Sequence, residues 1–327
     1  MSEAYEKRQV IIRVDDRVRL LSAVLAATDY PEMAQAQQRH GTHAHARGTR
    51  RLVSEFSSHP AAHAMQVLLE QRIPLASAFS YVLRLTWPGL DSDDEMPRWV
   101  PPRWNVHLRH LFEVTGLQSW WDAEAAHWET AVRHLREAFS GVDVHRFLEP
   151  FVGPVVERLV FMPSLSYPTN ENIGLRVGSE LIAIVPPPIA WGDSPPWPYK
   201  DDPALAYRHA LAEYSGLLMS AYLRQHEDIV RAMAEKPLPV DDRYAAAHPT
   251  WIDQFMGIFR ASLVTLFLEQ AVSKLEARSY VQYMQKVMHL GILPGAVRIL
   301  RRYLDEYHAG HYREFADYLP EMPGHLY

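Results

Sequence analysis

The stretch "RHALAEYSGLLMSAYLRQH", Arg208 to His226, governs how the rest of the chain is read. Asp202 and Pro203 precede it as a good N-cap and first-turn pair, and the spacing predicts one long helix from about Pro203 to about Ile229. Tyr207, Leu211, Tyr214, Leu218 and Tyr222 then share one stripe at i, i+3 and i+4 separations. The opposite stripe is His209, Ala212, Glu213, Gly216 and Ser220, small and polar around a single carboxylate. Two readings of that stripe stay open. One is a close-packed face with Glu213 paired to an arginine; the other is a residual site directed at a neighbouring sheet.

Upstream, "VVERLVFMPSL", "NIGLRVG" and "ELIAIVPPP" are short β-rich segments parted by turn residues such as Asn170, Asn172, Gly178 and Ser179. They predict a small antiparallel sheet around Val155–Val185, packed on the long helix. Near the start, "RQVIIRV" (Arg8–Val14) reads as a strand. It leads into a helix capped by Asp15 or Asp16, with Val18, Leu21, Val24 and Leu25 at helical spacing. The pattern stays helical from Glu32 to Leu85, with Ser58 or His59 set before Pro60 as a helix start. "WPGLDSDDEMPRWVPPRW" (Trp87–Trp104) breaks it as an ordered surface excursion, because Trp99 and Trp104 are costly to leave in water. "EKPLPVDDRYAAAHPT" is a second loop, with three helices after it. The expectation is a single mainly helical α+β domain over 1–327: a helical part at 1–149, sheet and Pro/Trp-rich loop at 150–200, and central and C-terminal helices at 201–327.

Composition narrows the function. Hydrophobic residues make up 48% and aromatics 11%, ample for a packed core. Lys plus Arg number 33 against 39 Asp plus Glu, and 33 − 39 = −6, a sign that does not favour nucleic acid or an anionic membrane as partner. Without cysteine there is no disulfide, thiolate zinc site or cysteine nucleophile. The polar opening "MSEAYEKRQV" lacks the apolar core of a secretory signal, so a cytoplasmic location is expected. "FMGIFRASLVTLFL" (Phe255–Leu268) is shorter than the roughly 20 residues a bilayer needs. It carries Arg260 inside it and reads as a buried helix.

The central helix also holds part of a chemical motif. In H-E-x-x-H two histidines at i and i+4 bind zinc through neutral imidazoles, and the Glu between them takes a proton from the metal-bound water. Here Glu213 stands at the Glu position, while Ala212 and Gly216 at the histidine positions offer no lone pair. His209 and Glu213 are themselves i, i+4, but two ligands need at least one more. His40, His43, His45, His59 and His63, and later His308 and His311, read as packed or exposed histidines rather than ligands. Asp91–Glu95 is a solvated acidic loop without calcium-loop spacing. No phosphate-cradling, dinucleotide or nucleophile-elbow pattern is present. The tryptophans at 120, 121 and 128, and at 191 and 197, read as aromatic core, with a peptide groove as the alternative.

Several separated stretches resemble, in order, a family of bacterial proteins grouped with the zinc-peptidase-like, gluzincin-type H-E-x-x-H domains. They are "VDDRVRLLSAVLAAT", "FSSHPAAHAMQVL", "MPSLSYPTNENIGLRVGSELIAIV", "AEYSG" and "GILPGAVRILRRYLDEYHAGHYREFADYLPEM". The resemblance implies a zincin-like fold, with the general base on Glu213 and the metal histidines on Ala212 and Gly216, which cannot serve. It places a third ligand near "WIDQFMGIFRA" (Trp251–Ala261), where Asp253 and Gln254 stand. The expectation is therefore a catalytically degenerate relative with no cofactor, binding a peptide or protein through the former substrate cleft, with Tyr214, Trp191 and Trp197 as binding residues. The alternatives are a working hydrolase holding zinc on His209, Glu213 and Asp253, or a structural subunit of an oligomer.

Overall fold

Asp15 accepts the backbone N–H of Arg17 at 3.0 Å and so caps the first helix, α1 (Asp16–Ala26), as the sequence predicts. The computed structural model describes residues 9–92, 95–189 and 194–322. Strand β1 (Ile11–Ile12) precedes α1. Helices α2 (Tyr30–Gln37), α3 (Ala44–Val53), α4 (Pro60–Glu70), α5 (Leu75–Arg84), α6 (Trp104–Thr115), α7 (Leu117–Ala123), α8 (Ala125–Phe139) and α9 (Val144–Val152) follow it. Next come β2 (Arg158–Pro163), β3 (Ile173–Val177) and β4 (Glu180–Val185). The chain ends in α10 (Pro203–Gln225), α11 (Glu227–Ala234), α12 (Asp242–Ala247), α13 (Trp251–Ala271), α14 (Lys274–Lys286), α15 (Leu293–His308) and the short α16 (Phe315–Tyr318). The class is α+β and mainly helical.

These elements divide into two compact units interleaved in sequence. One unit comprises Val10–Gly141 and Leu159–Ala206. Its sheet runs β1-β2-β4-β3. β3 and β4 pair antiparallel around the Gly178–Ser179 turn, with Val177 opposite Glu180. β1 lies parallel to β2, Ile11 opposite Val160 and Ile12 opposite Phe161. The sheet is thus mixed rather than antiparallel, because the short run at Ile11–Ile12 joins it across the long intervening chain. Parallel neighbours need such a crossover and leave no hairpin signal to read.

Every position of β4 is buried, and so are five of the six in β2, which explains their continuous rather than alternating apolar runs. α5 packs on β3 and α8 on β1. The long helix α10, expected as the sheet's partner, belongs from Tyr207 onward to the other unit. Arg17 Nη1 donates to the carbonyls of Leu83 and Leu85, both at 2.8 Å, placing a cation on the C-terminal end of α5. Trp104 is fully buried and its indole N–H reaches the Ala61 carbonyl at 3.2 Å, so the Trp87–Trp104 excursion ends in the core.

His40 and His45 are structural. His40 Nε2 meets Thr169 Oγ1 at 2.7 Å. His45, 1% exposed, stacks on Trp120 and accepts the Trp128 indole N–H at 3.3 Å. Trp121 and Trp128 also cover the Arg19 guanidinium, at 4.3 and 4.9 Å. That cluster is core, not a peptide groove.

The other unit holds Val142–Arg158 and the described residues from Tyr207 on. Its centre is aromatic: Phe151 lies 5.9 Å from both Phe259 and Phe315, and Tyr303 lies 4.9 Å from Phe315 and 5.1 Å from Tyr318. The predicted stripe Tyr207, Leu211, Tyr214, Leu218 and Tyr222 is buried throughout. α10 stops at Gln225 rather than near Ile229, because His226 at φ −117, ψ 38 leaves the helical region before α11 begins. The segment read as a second loop contains α12, which Asp241 caps. α13 starts in a capping box between Thr250 and Asp253. Among the described residues it is the one helix long and apolar enough to cross a membrane by length and composition, and most of it is buried.

Burial, and then the Arg19 charge, push the His45 imidazole from 6.5 down to about 3. The pKa of the folded state is depressed, so the unfolded chain protonates first. The stability His45 contributes is complete above pH 6.5 and is lost as pH falls toward 3, by about 1.4 kcal/mol per pH unit. Melting temperatures measured between pH 7 and pH 4 should fall with acid, and less steeply in His45→Gln. Equal slopes in the two proteins would assign the acid sensitivity to other groups.

Candidate functional site: the Glu213 and Arg260 pair

Glu213 projects from the middle of α10, and its partner comes from α13. Arg260 Nη2 donates to Glu213 Oε1 at 3.1 Å, with side chains 37% and 19% exposed. The small residue beside them makes the approach possible. A Cβ on Gly216 would stand 3.4 Å from Arg260 Nε and 3.5 Å from Arg260 Cδ. The arginine therefore lies across the surface that a longer side chain at 216 would fill. Of the two readings of the small-residue stripe, close packing against an arginine is the one observed.

The same economy of side chain recurs on α13. A Cβ on Gly257 would fall 2.1 Å from Tyr244 Oη, so that glycine admits the Tyr244 ring, which is buried and stacks on His248 with centroids 4.1 Å apart. Burial raises the Tyr244 phenol to about 12, against the opposing charge of Arg260. Tyr280 is also raised to about 12 by burial, opposed first by Arg208 and then by Arg260. Arg208 lies 3.9 Å from Glu276. Burial, with Arg208 next to it in sequence, pushes His209 from 6.5 down to about 4. Arg260, the partner of Glu213, thus also acts on two buried phenols, Tyr244 and Tyr280.

Such a site suits a divalent metal poorly. The Arg260 guanidinium cancels the attraction that Glu213 alone would offer a dication: at about 4 Å from each and an effective dielectric of about 20, the two interactions are about 8 kcal/mol and opposite in sign. No group of three or more histidines or carboxylates able to hold a metal is found among the described residues. Asp253, the nearest carboxylate to the expected third ligand, is spent on its own helix end: its Oδ2 accepts from Thr250 Oγ1 at 2.6 Å and from the Thr250 N–H at 3.3 Å. Zinc on His209, Glu213 and Asp253 therefore does not fit the residues present.

The remaining candidates separate. Tyr214 is fully buried, its phenol raised well above 10 by burial, and is a core residue rather than part of a groove. Trp191 lies outside the described residues. Trp197 is 56% exposed and stands in the unit that carries the sheet. Sequence reasoning treated Arg260 only as an interruption of an apolar run, although a lone guanidinium in such a helix calls for a carboxylate partner.

No match to this chain is found among known protein families, curated proteins or solved structures. Function has to be read from the chemistry of the residues themselves. Glu213 shares its charge with a permanent cation, which holds the carboxylate in place as an acceptor and leaves it poorly set to take a proton from water.

Because both side chains are partly exposed, the pair contributes about 1 kcal/mol. Glu213→Gln and Arg260→Ala should each lower the melting temperature by a few degrees, and the double variant by less than the sum of the two. Strict additivity would show that the pair is not coupled. Gly257→Ala should destabilise by about 1–3 kcal/mol through the buried Tyr244, despite the gain in helix propensity. Gly216→Ala, which needs Arg260 to give by only a few tenths of an ångström, should stay within about 1 kcal/mol of the parent. The reverse order in chemical denaturation would refute the packing described.

Proposed function

We propose that this protein is a catalytically inactive relative of metal peptidases that acts by binding a peptide or protein ligand, with the Glu213 and Arg260 pair as a structural ion pair on the motif helix. The 3.1 Å contact between Arg260 Nη2 and Glu213 Oε1, laid across Gly216, carries this reading. On the resemblance of "AEYSG" to H-E-x-x-H, residue 216 is a metal position. In its place stand a glycine and a guanidinium that repels cations.

A structural role, as a subunit of an assembly, draws on a second observation. Glu213 is absent from the linings of the principal cavities, which hold about 310 to 530 Å³. The binding role accordingly does not depend on an open cleft at Glu213.

Zinc titration by calorimetry after chelator treatment, with hydrolysis assays on peptide libraries, tests the proposal. The expected result is no stoichiometric zinc and no hydrolysis that Glu213→Gln abolishes. One equivalent of zinc per chain, or a peptidase activity lost in Glu213→Gln, would replace this reading with that of a metal-dependent hydrolase. A discrete oligomer by sedimentation, with no ligand captured by any surface, would favour the structural subunit.

A further inference from the structure

A concavity of about 390 Å³ lies within the unit that carries the sheet, and its lining combines cations, histidines and an exposed indole. His127, Thr130, Ala131 and His134 line it from one face of α8, at i, i+3, i+4 and i+7. Opposite them, Pro187 and the turn Pro196–Lys200 form the second wall. That wall is fixed: Tyr199 is 2% exposed and its hydroxyl donates to the Val185 carbonyl at 2.6 Å, while the Trp197 N–H donates to the Pro188 carbonyl at 2.9 Å. The prolines restrict the backbone further. The pocket is preformed, and its volume lies in the range of small-molecule sites.

Its lining carries positive charge, although Glu124 Oε2 lies 3.7 Å from the lining His127 Nε2. Arg133 and Lys200 line it, together with His43, His127 and His134, and no carboxylate is among the lining residues. Both cations act on His134: burial first, then Arg133 and Lys200, lower its pKa, and Glu137 and Asp201 oppose them. His43 Nδ1 accepts the His45 backbone N–H at 3.1 Å, which leaves the ring proton on Nε2 and makes His43 a fixed neutral donor. At the rim Trp197 keeps 56% of its surface in solvent, although an indole gains from cover. In a chain of net charge −6, a rigid hollow with two cations, histidine donors and one exposed indole matches a particular kind of ligand.

We propose that this pocket binds a small organic anion bearing a planar ring, the ring stacked on Trp197 and the phosphate or carboxylate held between Arg133 and Lys200. Stacking on an aromatic face and charge-assisted hydrogen bonds to an anion each add to affinity. A ligand with both halves should therefore bind at least about tenfold more tightly than either half alone. The site is independent of Glu213, so its failure leaves the preceding proposal untouched.

Calorimetry and ligand-observed NMR on the full chain test it with four probes. Adenosine 5′-monophosphate and indole-3-acetate supply ring with phosphate and ring with carboxylate; adenosine and inorganic phosphate supply each half alone. One of the first two is expected to bind at one per chain, at least about tenfold more tightly than adenosine or phosphate, and which one does so identifies the anion. Trp197→Ala and the double variant Arg133→Gln with Lys200→Gln alter exposed side chains, should keep the parent's melting temperature, and should each weaken binding at least about tenfold. Absence of saturable binding by either ring-bearing anion up to millimolar concentration would overturn the proposal. So would binding unchanged in both variants, or inorganic phosphate binding as tightly as the nucleotide.

Discussion

The parallel pairing of Ile11 and Ile12 with Val160 and Phe161 is the constraint on which the sheet-bearing unit depends. Closing a loop of about 150 residues costs roughly 4 kcal/mol of chain entropy, more than a two-residue ladder returns. The pairing is held by what surrounds it. Arg13 donates its backbone N–H to the Phe161 carbonyl at 3.2 Å, and its guanidinium grips Glu180 at 2.9 and 2.6 Å, tying the segment after β1 to the start of β4. Four residues on, Arg17 closes over the end of α5. The polar stretch "RVDDR" thus fastens a buried edge that its hydrophobicity alone would not secure.

In the other unit the aromatic centre supplies the packing, and the ion pair between α10 and α13 sets the chemistry of the motif helix. Gly216 on α10 leaves room for the arginine, and the arginine then supplies the charge that the carboxylate requires once it is partly removed from water. A guanidinium cannot give up its proton at physiological pH, nor offer a coordination site to water or to a carbonyl oxygen. A carboxylate fixed on it can hold a shape or accept a hydrogen bond, whereas lowering the pKa of water takes a metal ion.

Much of this was legible because it is local. Asp15 and the residues around Pro60 mark helix starts by side-chain chemistry, and His59 does cap α4 through Nδ1 on the Ala61 N–H. The i, i+3, i+4 stripe from Tyr207 to Tyr222 buries as its spacing requires, and Gly178–Ser179 turns the β3-β4 hairpin. What escaped was either non-local or unmarked. The partner of β1 is read from no local pattern, and the end of α10 at His226 carries neither glycine nor proline to announce it. Arg260 was visible as the one charge within Phe255–Leu268, and a lone Glu on a small-residue stripe was visible too. Joining them needed only the rule that each must find an opposite charge.

Trp197 shows why residue type outlasts motif as a guide to a site. A tryptophan among prolines reads equally well as core or as groove, because the sequence does not say which face of the ring is covered. The structure separates the two by pinning the backbone on either side while leaving the indole out: Tyr199 is anchored to β4 and Trp197 to Pro188, yet the ring keeps more than half its surface in water at 56% exposure. The hydrogen bonds that hold that turn come from the Tyr199 hydroxyl and the Trp197 backbone, and neither uses the indole ring. Around it the charges are arranged in the opposite sense to those at Glu213. There an arginine is neutralised by a carboxylate on a neighbouring helix; here Arg133 and Lys200 face a hollow whose lining holds no carboxylate. A cation balanced within the protein stabilises the protein, and one directed into a preformed space stabilises whatever anion enters it.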